Sequence, residues 1–131
     1  MNKAYQTYQN NAVNTASGGE LTLMLYNGCI KFIKQAMKDV EANNYEAKNR
    51  NIQKAQDIIR ELLITLDPKV ELSKQIQLLY EFMLEQLTRA NIDNNKEILE
   101  DVLELVTEFR DTWKQVLLKY RKQQYSKGAG L

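Results

Sequence analysis

The sequence predicts an all-α fold, an antiparallel up-down-up-down four-helix bundle, and three observations carry the prediction. Apolar residues recur at three- and four-residue spacing through most of the chain, the mark of helices with a buried face. Five Gly and one Pro in 131 residues leave few places to break a helix. The polar clusters that interrupt the pattern cut it into four segments of similar length, and short links between such helices make neighbours antiparallel.

The stretch SGGELTLMLYNGCIKFI, residues 17–33, opens the first helix. Ser17 with Glu20 three residues later forms a capping box, each side chain satisfying a backbone N–H that the helix leaves unpaired. The helix is expected from Leu21 to about Ala42. At about 100° per residue, Leu21, Leu25, Gly28, Cys29, Phe32 and Ala36 share one stripe, while Leu23, Tyr26, Ile30, Ile33, Met37 and Val40 form a second. Only Asn27, Lys31, Lys34 and Lys38 mark a wet side. The apolar wrap is roughly twice that of an ordinary bundle helix, so either several neighbouring helices cover the second stripe or a partner supplies part of the cover.

Asn43 and Asn44 make a polar stop, and Asn43 with Glu46 offers a cap to a second helix from about Tyr45 to Leu66. Its stripe is Ile52, Ala55, Ile59, Leu62, Leu63 and Leu66, and Asp67-Pro68 ends it because the residue before Pro avoids the α region. The third helix, Glu71 to about Asn91, carries Leu72, Ile76, Leu79, Tyr80, Met83, Leu87 and Ala90. The cluster Asp93-Asn94-Asn95 separates it from the fourth, Lys96 to about Tyr120, whose face holds Ile98, Leu99, Val102, Leu105, Val106, Phe109, Trp113, Val116, Leu117 and Tyr120. The chain therefore divides into an N-terminal strip or lid (1–16), the bundle (17–120) and a frayed, flexible tail (121–131). The strip is rich in Asn, Gln and Thr, with Tyr5, Tyr8 and Val13 as apolar points. It either fastens onto the bundle or acts as a detachable lid or recognition peptide.

Composition excludes several function classes. Eighteen Lys and Arg against seventeen Asp and Glu, interspersed along the chain, give a net charge of +1 and no basic stripe for nucleic acid. There is no His, which removes His-activated nucleophiles, Glu-x-x-His di-metal bundles and most zinc sites. Carboxylate pairs such as Glu97 with Asp101 and Glu100 with Glu104 belong to a solvated face, and the glycines form no phosphate loop. No enzyme activity, metal or cofactor is expected. A single Cys, Cys29, sits on an apolar stripe as a small buried thiol in a reducing cytosol. No signal-peptide pattern and no bilayer-length apolar run appear, so a cytoplasmic protein without membrane insertion is expected.

Seven large apolar residues fall outside the assigned stripes or on the extra one: Leu23, Ile30, Met37, Ile64, Leu78, Phe82 and Leu118. Leu78 and Phe82 are i, i+4 neighbours, the spacing that a groove for an amphipathic helix requires. These residues, with Tyr5, Tyr8 and Val13, are the candidate partner-binding set. A homodimer interface, in a self-associating structural module, is the alternative use of the same apolar excess.

The segments YQNNAVNTASGGELTLMLYNGCIKFIKQA (8–36), KAQDIIRELLITLD, LLYEFMLEQLTRANI and VTEFRDTWKQV, in that order, closely resemble the FliS family of bacterial flagellar secretion chaperones. The resemblance covers nearly the whole chain. It implies a four-helix bundle in the cytosol that captures the disordered C-terminal segment of flagellin as helical pieces lying in apolar grooves. Covering that segment blocks premature polymerisation, and the complex is then presented to the membrane export gate of the flagellar type III apparatus. The resemblance also implies that Tyr8, with Tyr5, belongs to a stretch that overlies part of the empty client site and takes part in docking to the gate. Trp113, Met83 and Leu87 are read as core. The sequence departs from the family pattern at Gly18, where many relatives have Pro, at Glu85 and Gln86, where basic residues are common, and at Thr112, where Ala is common.

Overall fold

A computed structural model describes residues 18–129 of the chain. They form four helices, α1 (Gly18–Glu41), α2 (Tyr45–Ile64), α3 (Glu71–Asp93) and α4 (Lys96–Ala129). Both α1 and α3 pack on α2 and on α4, so the helices stand in a ring in chain order, as an up-down bundle with short links requires. Ser17 of the expected capping box and the whole strip 1–16 lie outside the described residues.

The polar stops work through asparagine. Asn43 takes the left-handed conformation (φ 56°), which Asn tolerates better than most residues. The cap of α2 is therefore Asn44, one residue later than the sequence pattern suggested, with its Oδ1 accepting from Ala47 N–H at 3.2 Å. At the other link Asn94 (φ 50°) ends α3, and Asn95 Oδ1 accepts from Ile98 N–H at 3.2 Å to start α4. The α4 boundary expected near Tyr120 lies at Ala129 instead. The run RKQQYSK that follows Tyr120 consists mostly of good helix formers and holds no Gly or Pro, so nothing stops the helix before Gly128.

The core contains Leu25, Cys29, Ile33 and Ala36 from α1, Ile52, Ala55, Ile59 and Leu62 from α2, Tyr80, Met83, Leu87 and Ala90 from α3, and Leu99, Val102 and Val106 from α4. Tyr26, Ile30 and Ile33 of the second α1 stripe are buried as well, so neighbouring helices cover most of it. At the centre the hydroxyls of Tyr26 and Tyr80 lie 2.6 Å apart across the diagonal from α1 to α3. The ring of Phe109 meets both edge-on, at centroid distances of 6.3 and 5.8 Å.

One end of the bundle is tied by polar groups. Lys48 Nζ donates to Asn91 O at 2.7 Å and to Asn94 Oδ1 at 2.5 Å, neutralising carbonyl charge at the end of α3. Asn91 Nδ2 donates to Asn49 Oδ1 at 2.6 Å, and Lys96 pairs with Glu41 at 2.5 Å. Buried Asp39 accepts from Gln35 and Asn51, so its charge is hydrogen-bonded rather than stranded.

Removing one hydroxyl of the central pair leaves the other without a partner, so Tyr80→Phe is expected to lose about 1–3 kcal/mol in urea unfolding. The double variant Tyr26→Phe/Tyr80→Phe is expected to lose less than the sum of the two singles, which a double-mutant cycle measures directly. Burial raises the pKa of both tyrosines and pushes the Cys29 thiol from 9.0 up to about 12. The folded chain keeps these protons where the unfolded chain loses them. Their stabilisation is thus complete below the unfolded values of 9.0 and 10.0 and is lost as pH rises above them. The urea midpoint is expected to fall on going from about pH 8 to 11, and less steeply in Cys29→Ala.

Candidate functional site

The site is an apolar surface, and it begins with how α3 is rotated. Placing Tyr80 against Tyr26 gives α3 the buried seam Ser73, Tyr80, Met83, Leu87 and Ala90, with Ile76 half-buried. Leu72 and Leu79, which the sequence pattern assigned to the core, are displaced to its flank and stand 56% and 38% exposed. Beside them Leu78 and Phe82 face solvent at 61% and 49%. With Ile92 exposed near its C-terminal end, this helix presents five large apolar side chains outside the core, of which Leu78 and Phe82 were expected on the surface.

A second apolar area lies where α4 outruns its neighbours. α4 has 34 residues against 24 in α1 and 23 in α3, and its last turns have less bundle to pack on. Val116 and Tyr120, expected in the core, are 46% and 57% exposed for that reason. With Trp113, Leu117 and the first turn of α1 they line an open hollow of about 720 Å³. Gly19 lets Leu117 lie close to α1: a Cβ there would fall 2.5 Å from Leu117 Cδ2, so a side chain at position 19 would displace the end of Leu117. Trp113 Nε1 donates to Gly19 O at 2.8 Å, and Arg121 pairs with Glu20. Trp113 is half-buried against the core and forms part of the hollow rather than lying wholly inside the bundle. A third, smaller hollow of about 550 Å³ lies between α2 and α3, lined by Leu63, Ile64, Leu66 and Pro68 with Lys74 and Glu81.

The sequence-derived partner set is scattered over these surfaces. Ile64 (76%), Leu78, Phe82 and Leu118 (50%) are exposed, and Leu23 and Met37 are half-buried. Ile30 is corrected to the core: only 5% exposed, it is covered by the helices packed on α1 and offers no surface to a partner. Tyr5, Tyr8 and Val13 lie outside the described residues. The α1/α4 hollow has no sequence signal beyond Gly19 and the apolar run on α4, because its exposure follows from helix lengths and not from periodicity.

Among the described residues no group of three or more His, Cys, Asp or Glu side chains gathers to hold a metal, and no helix is long and apolar enough to cross a membrane. Cys29 is fully buried with its thiol held in the protonated form, which suits packing and not nucleophilic chemistry.

Replacing Trp113 with Phe keeps an aromatic ring but removes the indole N–H together with the five-membered ring that carries it. This variant is expected to lose about 1 kcal/mol in denaturant unfolding and to speed amide exchange in the first turn of α1, read by hydrogen-exchange mass spectrometry.

Comparison with known proteins agrees across sequence and fold. The family model described as "Flagellar protein FliS" matches residues 1–120. The chain is 48% identical over 124 residues to the flagellar secretion chaperone FliS of Bacillus subtilis (strain 168), covering 95% of this chain and 93% of that one. It is 34% identical over 110 residues to the flagellar secretion chaperone FliS of Escherichia coli (strain K12), covering 82% and 81%. In fold it resembles a solved structure described as a crystal structure of a flagellar chaperone from bacteria, with a TM-score of 0.73, 18% identity, and coverage of 89% of this chain and 97% of that one.

Proposed function

The chain belongs to the FliS family of flagellar proteins, and we propose that it binds the C-terminal segment of flagellin in the cytoplasm, prevents premature polymerisation and delivers the client to the membrane export gate of the flagellar type III apparatus. As a flagellar secretion chaperone it is non-enzymatic: its work is done by a surface.

The observation that supports this reading is the spread of exposed apolar side chains over separate faces of a bundle whose core is already closed. They lie on α3, in the α1/α4 hollow and beside Ile64. Monomeric soluble proteins rarely expose that much apolar surface without use for it. Separate patches suit an extended client that lies down as several short helices, each placing its apolar face in one groove. A disordered client loses ordering entropy on binding, which lowers the affinity per unit area and leaves it releasable for transport. Leu78, Phe82, Ile64 and Leu118 are proposed as contacts together with Val116 and Leu117, with Leu23 and Met37 at their margins. Tyr5, Tyr8 and Val13 are proposed to cover part of this surface until the client arrives, and to take part in docking at the gate.

Calorimetric titration into flagellin tests the reading. Intact flagellin is expected to bind one to one, and flagellin lacking its C-terminal segment not to bind. Phe82→Glu and Val116→Glu, both at exposed positions that leave the core intact, are each expected to weaken binding by about tenfold or more. Unchanged binding in both variants, with the fold intact by circular dichroism, would place the client elsewhere.

A further inference from the structure

Charges that alternate along the chain are sorted by face in the bundle. On the outer side of α1, Asn27, Lys31, Lys34 and Lys38 follow one another at four-, three- and four-residue spacing, which sets them in one row, and all four are exposed. The carboxylates that extend the row at either end are already occupied: Glu20 pairs with Arg121 and Glu41 with Lys96. Asn27 Oδ1 accepts from Arg110 Nη1 at 3.3 Å, so α4 meets the acceptors of the row with its own cations. The exposed carboxylates Glu97, Asp101, Glu104 and Glu108 stand about 100° or more round α4 from the residues Lys96, Arg110 and Arg121 that reach α1.

The basic face continues onto α2. Lys31 Nζ and Lys54 Nζ lie over the ring of half-buried Phe32, 5.9 and 5.2 Å from its centroid, and the attraction of the ring for cations draws Lys54 towards α1. Exposed Arg50 stands one turn before Lys54. Among the described residues none of Lys31, Lys34, Lys38, Arg50 and Lys54 enters an ion pair within the chain. One side of a chain with a net charge of only +1 thus carries this whole cluster uncompensated.

The chemistry of the row points to a lipid surface. Protein interfaces are depleted in Lys and enriched in aromatic residues, Met and Arg, and are anchored in pockets. The row offers no large apolar anchor between Asn27 and Lys38, and the hollows described above do not open on its lysines. Lysine is a hydrated point charge on a flexible stem, suited to a diffuse plane of negative charge and not to keyed pairing. α1 and α3 are diagonal in the ring, so a bilayer against the lysine row leaves Leu78 and Phe82 of α3 facing away from it.

We infer that the outer face of α1, with Lys31, Lys34, Lys38 and the neighbouring Arg50 and Lys54, is a docking surface for an anionic phospholipid bilayer, held by charge at the headgroups without entering the hydrocarbon. The inference goes beyond the client reading and does not rest on it.

Flotation of the full chain with phosphatidylglycerol–phosphatidylcholine vesicles, against vesicles of phosphatidylcholine alone, tests it. At about 0.05 M salt the chain is expected to float with the anionic vesicles only, and to be released at about 0.5 M. Lys31→Glu/Lys34→Glu is expected to lower the partition coefficient about tenfold or more, whereas Lys31→Arg/Lys34→Arg retains it. The control Arg89→Glu/Lys119→Glu makes the same change in net charge on other faces and is expected to leave partitioning within about twofold. Helix content is checked in each variant by circular dichroism, and Lys31→Glu/Lys34→Glu is expected to bind flagellin as the parent does, so the two readings fail separately. Absence of flotation at low salt overturns the inference, as does an equal loss in the control pair. Retention on immobilised poly-glutamate without flotation also overturns it, and assigns the face to an acidic polypeptide instead.

Discussion

The bundle is organised around a pair of hydroxyls that have to meet. Tyr26 and Tyr80 are both buried, and a buried hydroxyl without a partner costs more than a hydrogen bond contributes, so the two lie 2.6 Å apart at the centre of the molecule. Because they come from diagonally opposed helices, their contact fixes the rotation of α1 and α3 together. Phe109 closes against both rings and brings α4 into the same constraint. With Tyr80 pointing inward, Ser73 one heptad earlier must point inward too, and Leu72 and Leu79 are carried to the flank. The exposed apolar face of α3 is thus a consequence of a polar contact in the core.

The two ends of the bundle are built for different tasks. At the end that holds the α1–α2 and α3–α4 links, Lys48, Asn49, Asn91 and Asn94 tie the hairpins together, and Lys96 reaches back to Glu41. At the other end Trp113 donates to Gly19 O and Arg121 pairs with Glu20, tying α4 to α1, and the exposed residues Ile64, Val70, Leu72, Val116 and Tyr120 gather there. The interior helix contacts keep the frame rigid, while the open end offers apolar surface without needing to unfold. A chaperone that must hold and then release a flexible client needs this combination, since any disorder of its own would add to the entropy lost on binding.

Most of the architecture was legible in the chain because periodicity and stop residues are local. The four helices, the Asn links and the inward positions of Cys29, Ile59, Met83, Leu87 and Val106 follow from spacing alone. Leu78 and Phe82 were legible as surface because they fall outside the helical stripe. Ile30 was misread because a helix with two apolar stripes gives no sign of which neighbours cover the second. Leu72 and Leu79 were misread because a one-position rotation of α3 is invisible to a pattern that fits either seam.

By itself the sequence determined the number of helices, their order and their antiparallel sense, since each depends on residue type and on neighbours within a few positions. Tertiary structure alone decided the rotation of α3 and the close approach of Gly19 to Leu117. Those depend on which side chains meet across the bundle, and residues far apart in the chain set them: Tyr26 against Tyr80, Trp113 against Gly19, Lys48 against Asn91. A long-range contact leaves no period in the sequence, and the exposed apolar surface is what such contacts leave uncovered.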